Sequence, residues 1–419
     1  MRRVLIIGTI WPYHQGGARI PGLAAHLPDV GWEPVVLTRS LPSNVLLPYR
    51  VEQVGGQSVA GLLARRVGLE GTGGPRRALA QRLHLSSNNW LLTWAFRSAR
   101  EVLEYPDGHG QWRAVALHRA RELVQSERFD AVISSSPPVS AHIIANAVKR
   151  QYGVTWVADF PHLWSQDHGV PYGGVRRWFD RRLEIRTLTG ADALTSIIEP
   201  LAGQLGTLHG FQRCSVIEHG FGPDTLNDPP VPVTGDFTIT YTGGWSRGRR
   251  EPRLFLSALR SLLDQRITGR AQVRVRFYGP PEDWIQEQIE QAGLASVVTQ
   301  LGVVPQPEAF VRQRESQVLL IPKSEDGLEG MISSKFYEYV AARRPILAIG
   351  GHPDVVNEKL METGAGVSCE TVAGAVAALG SFYEEYQQTG IVACNSRMEV
   401  VLRYSHREMA RQFAALLDR

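Results

Sequence analysis

The sequence predicts an α/β protein of two doubly wound parallel-sheet domains facing each other across a cleft, and three observations carry that reading. Short β-branched runs alternate with helical patterns along the whole chain, the signature of parallel strands joined by crossover helices. The candidate strands fall six and six on either side of a proline-rich break. At 419 residues the chain exceeds what one core supports and suits two domains of roughly 200 residues each.

The strands of the first half are "VLIIGTI" from Val4, "PVVLT" from Pro34, "AVISS" from Ala131, "TWVAD" from Thr155, "ALTSI" from Ala193 and "SVIEH" from Ser215. Those of the second are "FTITYTG" from Phe237, "VRVRFYG" from Val273, "VVTQLG" from Val297, "VLLIP" from Val318, "PILAIG" from Pro345 and "AGVSC" from Ala365. Between them "GPDTLNDPPVPVTGD", from Gly222, has the prolines and small polar residues of a linker. The expected domains are therefore 1–222 and 237–395, joined by 223–236. The last segment, 396–419, spaces Met398, Val401, Leu402, Met409, Phe413 and Leu416 as a helix does, and is expected to return to the first domain. Leu41 to Gln111 departs from the alternation. From Leu62 to Arg100 it carries seven arginines and one acid, Glu70, among Leu and Trp. A basic amphipathic surface on anionic lipid is one account of it, and helices capping the cleft with solvated arginines are the other.

Net charge is +4, divided as +6 over residues 1–225 (24 Lys+Arg against 18 Asp+Glu) and −2 over the rest (21 against 23). The asymmetry suits an anionic partner. Arginine, however, outnumbers lysine 41 to 4, a bias that composition alone can produce. No compact basic stripe interleaves with aromatics, which argues against nucleic acid. The three cysteines, Cys214, Cys369 and Cys394, are too few and scattered for a disulfide framework or zinc site, and fit a reducing cytoplasm. The apolar run near the start is broken by Gly8 and Pro12, so it reads as a strand rather than a leader. No stretch approaches the roughly 18 apolar residues of a membrane span. Membrane contact, if made, is peripheral.

Ligands of open α/β sheets bind beyond the carboxyl ends of the strands. After the first strand, Gly16 and Gly17 arrive together rather than at the spacing of a dinucleotide fingerprint, which disfavours an NAD enzyme. Such a pair lets backbone N–H groups approach an anion, or simply makes a tight turn. After the first strand of the second half, Gly243 and Gly244 precede Arg247, Arg249 and Arg250. A guanidinium fork suits phosphate, whereas an exposed loop would leave these arginines solvated. In "EGMISSKFYEYVAARRPILAIGG" Ser333 or Ser334 can cap a helix whose first turn holds Lys335, with Glu338 three residues on. A cation is poorly placed at a helix N-terminus unless an anion lies nearby.

Taken in order, the Gly-Gly loop, "DAVISSSPPVSAHIIA", "WVADFPHLW", the "YTGG" loop with its arginines and "KFYEYVAARRPILAIG" resemble a retaining nucleotide-sugar glycosyltransferase of the GT-B fold, family 4 in the usual sugar-enzyme classification. The resemblance spans nearly the whole chain and implies two Rossmann-like domains. In that family a glutamate, seven residues and a second glutamate precede a proline-opened strand. Glu338, seven before Pro345, matches the second, whose family role is to hold the donor ribose hydroxyls. The first falls at Gly330, with Glu329 beside it, so the resemblance gives contact with the transferred sugar to backbone groups of Met331, Ile332 and Ser333. Arg247 and Lys335 match the family's donor-phosphate cations. On the acceptor side Asp159 either orients or deprotonates a hydroxyl or caps the turn before Pro161. His162, where relatives carry an acid, is a base or a cleft-wall residue. His219, in "SVIEHGFG", reads as part of a structural turn.

No Asp-x-Asp pair occurs, so a divalent ion has no obvious seat. The expected protein is a cytoplasmic, metal-independent, cofactor-free glycosyltransferase. It takes a nucleotide sugar on the second domain (Gly243, Gly244, Arg250, Met331, Ile332, Ser333, Ser334, Glu338, with Gly16 and Gly17) and a glycan or lipid-linked acceptor on the first, in contact with an anionic membrane or free of it. Base selectivity is expected around "FYGPPEDW" and "LGVVPQPE". A nucleotide-sugar epimerase of the same fold and a non-catalytic nucleotide-sugar-binding protein are the rivals.

Overall fold

A computed structural model describes residues 1–10, 19–41, 46–55, 101–167, 172–266, 272–324 and 332–418. The chain divides into two compact units. The first is built from the start of the chain, Ile20–Glu218 and Ala410–Arg419, and the second from His219–Met409.

The first unit holds a seven-stranded sheet: β1 (Arg2–Ile7), β2 (Trp32–Arg39), β3 (Arg50–Val54), β4 (Ala131–Ser135), β5 (Thr155–Phe160), β6 (Ala193–Ser196) and β7 (Cys214–Val216). Every pairing is parallel and the order is β3-β2-β1-β4-β5-β6-β7. Because helices cover both faces of a parallel sheet, the inner strands are buried along their whole length, as all five residues of β4 are. The order reverses between β1 and β4, the topological switch point of a doubly wound sheet. All six strands read from the first half are present. The additional one, β3, lies at the edge, where "RVEQV" pairs with β2 through its backbone and points charges outward.

In the second unit, β8 (Phe237–Thr242), β9 (Val273–Tyr278), β10 (Val298–Gly302), β11 (Val318–Pro322), β12 (Ile346–Ile349) and β13 (Gly366–Cys369) form a parallel sheet ordered β10-β9-β8-β11-β12-β13. These are the six strands read from the sequence. The switch point falls between β8 and β11. On one side the helix Arg253–Arg266 packs Phe255, Leu256, Leu259, Leu262 and Leu263 at helical spacing into a core shared with Phe237, Ile239, Tyr241, Val275 and Phe277.

The stretch read as a linker is tied down. Arg314 forms an ion pair with Asp228 at 3.0 Å and donates to the carbonyls of Asp228 and Pro229, while Thr234 N donates to Glu315 O. At the chain's end the helix His406–Leu417 buries Met409, Ala410, Phe413, Ala414, Leu416 and Leu417. Trp32 Nε1 and Arg2 both reach the Asp418 carboxylate. Leu402, placed by its spacing on the same apolar face, is exposed, because the helical path breaks into a 3-10 turn at Leu402–Tyr404.

Candidate functional site

The second unit gathers several of the residues singled out above at the carboxyl end of β8. Gly243 follows the strand, and its N–H donates to Tyr278 O at 2.6 Å. A Cβ on Gly279 would stand 2.2 Å from Gly243 O, so two glycine backbones touch where no side chain fits. Ser246 to Arg250 form a tight antiparallel turn with Gly248 at φ +76°. Gly248 N donates to Glu251 Oε1, which helps hold the Glu251 carboxyl below its usual range. The turn separates the arginines: Arg250 returns toward Tyr241, and Arg247 stands exposed with Glu251 near it. The matching of Arg247 to the phosphate cation thus meets a solvent-facing side chain, and the inward guanidinium is that of Arg250.

The helix Ser334–Ala342 begins beside this loop. Ser333 is its cap, its Oγ accepting from Lys335 N at 3.4 Å. Lys335 is buried, with its ammonium 6.0 Å from the centre of the Tyr241 ring. Burial pulls its pKa down to about 8. Glu338 opposes that fall and Arg250 adds to it. Burial raises the Glu338 pKa, with Lys335 and a hydrogen bond from Gln313 acting the other way. Three residues apart, Lys335 and Glu338 share one helix face and stabilise each other's charge. Ile332 is buried, which leaves little of its side chain for a ligand to meet. The helix ends at Arg343 in the left-handed region, φ 58°, before Pro345 opens the next strand.

Behind Glu338 lies a buried polar relay that the sequence did not reveal. Gln313 Nε2 donates to Thr242 Oγ1 at 2.9 Å and to Glu338 Oε2 at 3.3 Å. The Tyr339 hydroxyl accepts from Thr242 N at 2.9 Å. These contacts join residues 25 to 97 positions apart, and "VRQRES" carries no local mark of them.

Two cavities meet at Glu338. The larger, about 430 Å³, is lined by Thr242, Gly243, Gly244, Tyr278, Gly279, Pro280, Val303, Val304, Gln306, Ala309 and Glu338. Both stretches named for base selectivity thus contribute to its lining, Tyr278, Gly279 and Pro280 from one and Val303, Val304 and Gln306 from the other. The smaller, about 230 Å³, has Phe221, Phe310, Gln313, Ser334 and His406 among its lining residues. Gly16, Gly17, Glu329, Gly330, Met331 and the Leu62–Arg100 segment lie outside the described residues.

In the first unit Asp159 sits in the middle of the sheet. Its carboxylate accepts from Ser135 Oγ at 2.7 Å and Thr195 Oγ1 at 2.8 Å, hydroxyls of the two neighbouring strands. The reading of Asp159 as an acceptor-activating group thus meets a buried carboxylate engaged through both oxygens, and the reading as a cap for the Pro161 turn meets the same bonds. The His162 side chain is exposed, while its carbonyl accepts from Ser136 Oγ. His219 is buried, edge-on to Tyr337 with ring centres 6.0 Å apart, as a structural residue would be. Among the described residues no three His, Cys, Asp or Glu side chains converge as a metal site would require.

Residues 16–220 match the glycosyl transferase 4-like domain family. No curated protein matches the chain. Solved structures resemble it over its full length. Sucrose-phosphate synthase from Thermosynechococcus elongatus is 13% identical, with 100% of this chain and 98% of that one covered and a TM-score of 0.63. Anabaena HepE, solved in complex with UDP and glucose, is 14% identical with both chains fully covered and a TM-score of 0.64. A TarM mutant from S. aureus, in complex with Fondaparinux, alpha-GlcNAc-glycerol and UDP, is 9% identical with both chains fully covered and a TM-score of 0.61. The order of the two sheets, the family match and this full-length likeness agree. The chain has the GT-B fold of these solved structures, and its residues 16–220 match the glycosyl transferase 4-like domain.

Proposed function

We propose that this protein transfers a sugar from a nucleotide-sugar donor to a glycan or lipid-linked acceptor, with retention of anomeric configuration and without a metal ion. The observation that carries the reading is the convergence of Lys335, Arg250, Glu338 and the Gly243–Gly244 backbone beside the 430 Å³ cavity at the sheet's switch point. A nucleobase lies in that cavity between Tyr278–Pro280 and Val303–Gln306. Glu338 accepts from the ribose hydroxyls, and the diphosphate lies toward Lys335.

The chemistry asks for little else from the protein. As the bond from the anomeric carbon to the diphosphate breaks, negative charge accumulates on the departing phosphate. Lys335, Arg250 and the N-terminal N–H groups of the Ser334–Ala342 helix, fixed beforehand, stabilise it. Retention and the absence of a metal requirement come from the family resemblance and from this cationic set. The acceptor is held by the first unit, with Asp159 shaping the sheet rather than taking a proton. UDP, present in the HepE and TarM complexes, is the first nucleotide to try.

Isothermal titration of UDP and other nucleoside diphosphates, followed by assay of sugar transfer in chelator, tests the proposal. Tight binding of one diphosphate, lost in Lys335→Ala and Glu338→Ala, is the expected result. Unchanged affinity in both variants overturns the site assignment. Conversion of the nucleotide sugar to an epimer with no acceptor present would favour the epimerase instead.

A further inference from the structure

The helix Gly174–Leu188 of the first unit is built inside out. Its buried residues are Arg176, Asp180, Glu184, Thr187 and Leu188, four of them polar or charged. Val175 (75% exposed), Trp178 (49%), Phe179 (50%) and Ile185 (40%) face outward. Apolar burial is the main drive of folding and charge burial opposes it, so this arrangement needs a reason on both faces.

The inner face has one in its pairing. Arg176 Nε donates to Asp180 Oδ2 at 2.8 Å, and its guanidinium lies over the rings of Tyr105 and Tyr172. Glu184 accepts from Ser165 N at 2.9 Å and pairs with His209 Nε2 at 3.2 Å. These contacts hold the helix on the unit without its aromatic residues.

The outer residues, spaced at three and four, share one face with Arg181, Arg182 and Arg186, all exposed. Both acids of the helix point inward, so every charge that the helix itself presents on this face is positive, with Glu101 and Glu104 bordering it from the preceding segment. Arg182 stacks over the Trp178 ring at 4.0 Å, and Trp178 meets Phe179 edge-on at 4.8 Å. Tyr105 packs its ring edge on Phe179, and beside it Val102 and Leu103 are exposed, extending the apolar patch. Contiguous exposed apolar surface of this kind marks an interaction site, whereas scattered single residues do not.

We propose that this face docks the protein on an anionic lipid bilayer, with Trp178, Phe179, Val175 and Ile185 entering the headgroup boundary and the arginines binding phosphates beside them. Aromatic rings with a polar or cationic neighbour are suited to that boundary, and arginine adds attraction to anionic lipid. A second copy of the same face would bring arginine against arginine, which disfavours a symmetric dimer. Among the described residues no helix is long and apolar enough to cross a membrane, so the contact is peripheral.

The test is co-sedimentation of the full chain with vesicles of phosphatidylcholine alone or mixed with phosphatidylglycerol, a measurement that uses no sugar donor and stands apart from the transferase reading. The wild type is expected to sediment with the anionic vesicles only, and less so at about 0.5 M salt. Trp178→Ala with Phe179→Ala should weaken binding roughly tenfold per ring. Arg181→Gln with Arg182→Gln should weaken it roughly fivefold per arginine, with melting temperature and UDP affinity unchanged in both pairs. Wild type that stays in the supernatant, or variants that sediment as it does, overturns the proposal. So does a change in oligomeric state by light scattering with vesicle binding intact.

Discussion

Lys335 lies across Gly243: a Cβ on that glycine would stand 2.2 Å from Lys335 Cε and 2.8 Å from both the ammonium and the Tyr241 hydroxyl. The Lys335 ammonium and the Tyr241 hydroxyl therefore keep these positions only while position 243 has no side chain. Gly243→Ala should displace the ammonium and cost about 1–3 kcal/mol of stability by overpacking. The expected outcome is a lower melting temperature together with a loss of UDP affinity comparable to that of Lys335→Ala. Calorimetry and titration on the same samples check both.

Lys335 also gives the site a pH dependence of known sign. Its folded pKa, about 8, lies below its ordinary value of 10.5. The ligand-free folded state thus releases a proton that the unfolded chain retains, and between these values stability rises with pH. Binding a diphosphate favours the charged ammonium, so affinity should fall above pH 8, approaching tenfold per pH unit while the bound form stays protonated. In Lys335→Met both trends should flatten, measurable by titration and thermal melts from pH 7 to 10.

Glu338 is tested by the sugar of the nucleotide. If its carboxylate accepts from the ribose hydroxyls, the wild type should prefer UDP over its 2′-deoxy form by about 1.5–3 kcal/mol, the worth of a hydrogen bond to a charged group. Glu338→Ala should bind the two equally. Gln313→Leu, which removes a donor to Glu338 and to Thr242, should reduce that preference without abolishing diphosphate binding.

Asp159 separates a structural role from a chemical one. Asp159→Ala leaves the hydroxyls of Ser135 and Thr195 without their buried acceptor, an expected loss of about 2–4 kcal/mol. Donor affinity, which the proposed function assigns to the other unit, should persist at temperatures where the variant is folded.

His142 makes the first unit acid-sensitive. It is fully buried against Phe160, with Nδ1 2.8 Å from Ser134 Oγ, and burial lowers its pKa to about 3, with Asp159 opposing. Below the unfolded value of 6.5 the unfolded chain takes up a proton that the folded one refuses. Stability should therefore decline as pH falls from 6.5 toward 3, by about 1.4 kcal/mol per unit. His142→Leu should remove that slope in urea melts.

Much of this architecture was legible because parallel sheets write themselves as continuous apolar runs. "VLLIP" and "PILAIG" could hardly be anything else. Edge strand β3 was not, since Arg50 and Glu52 interrupt any apolar run and its pairing to β2 is made by backbone. The positions of Gly243, Lys335 and Glu338 could be read from local chemistry and from resemblance. The choice of Arg250 over Arg247 could not, because it depends on how Gly248 folds the turn. Nor could the ties of Gln313 to Thr242 and Glu338, or those of Asp159 to Ser135 and Thr195, which exist only once strands and helices distant in sequence are side by side.

The contact of Gly279 with the Gly243 carbonyl has an evolutionary corollary. Where main chain meets main chain there is no flexible neighbour to give way, so any side chain at position 279 would have to move the backbone of the loop after β8, and glycine is the residue that selection must keep there.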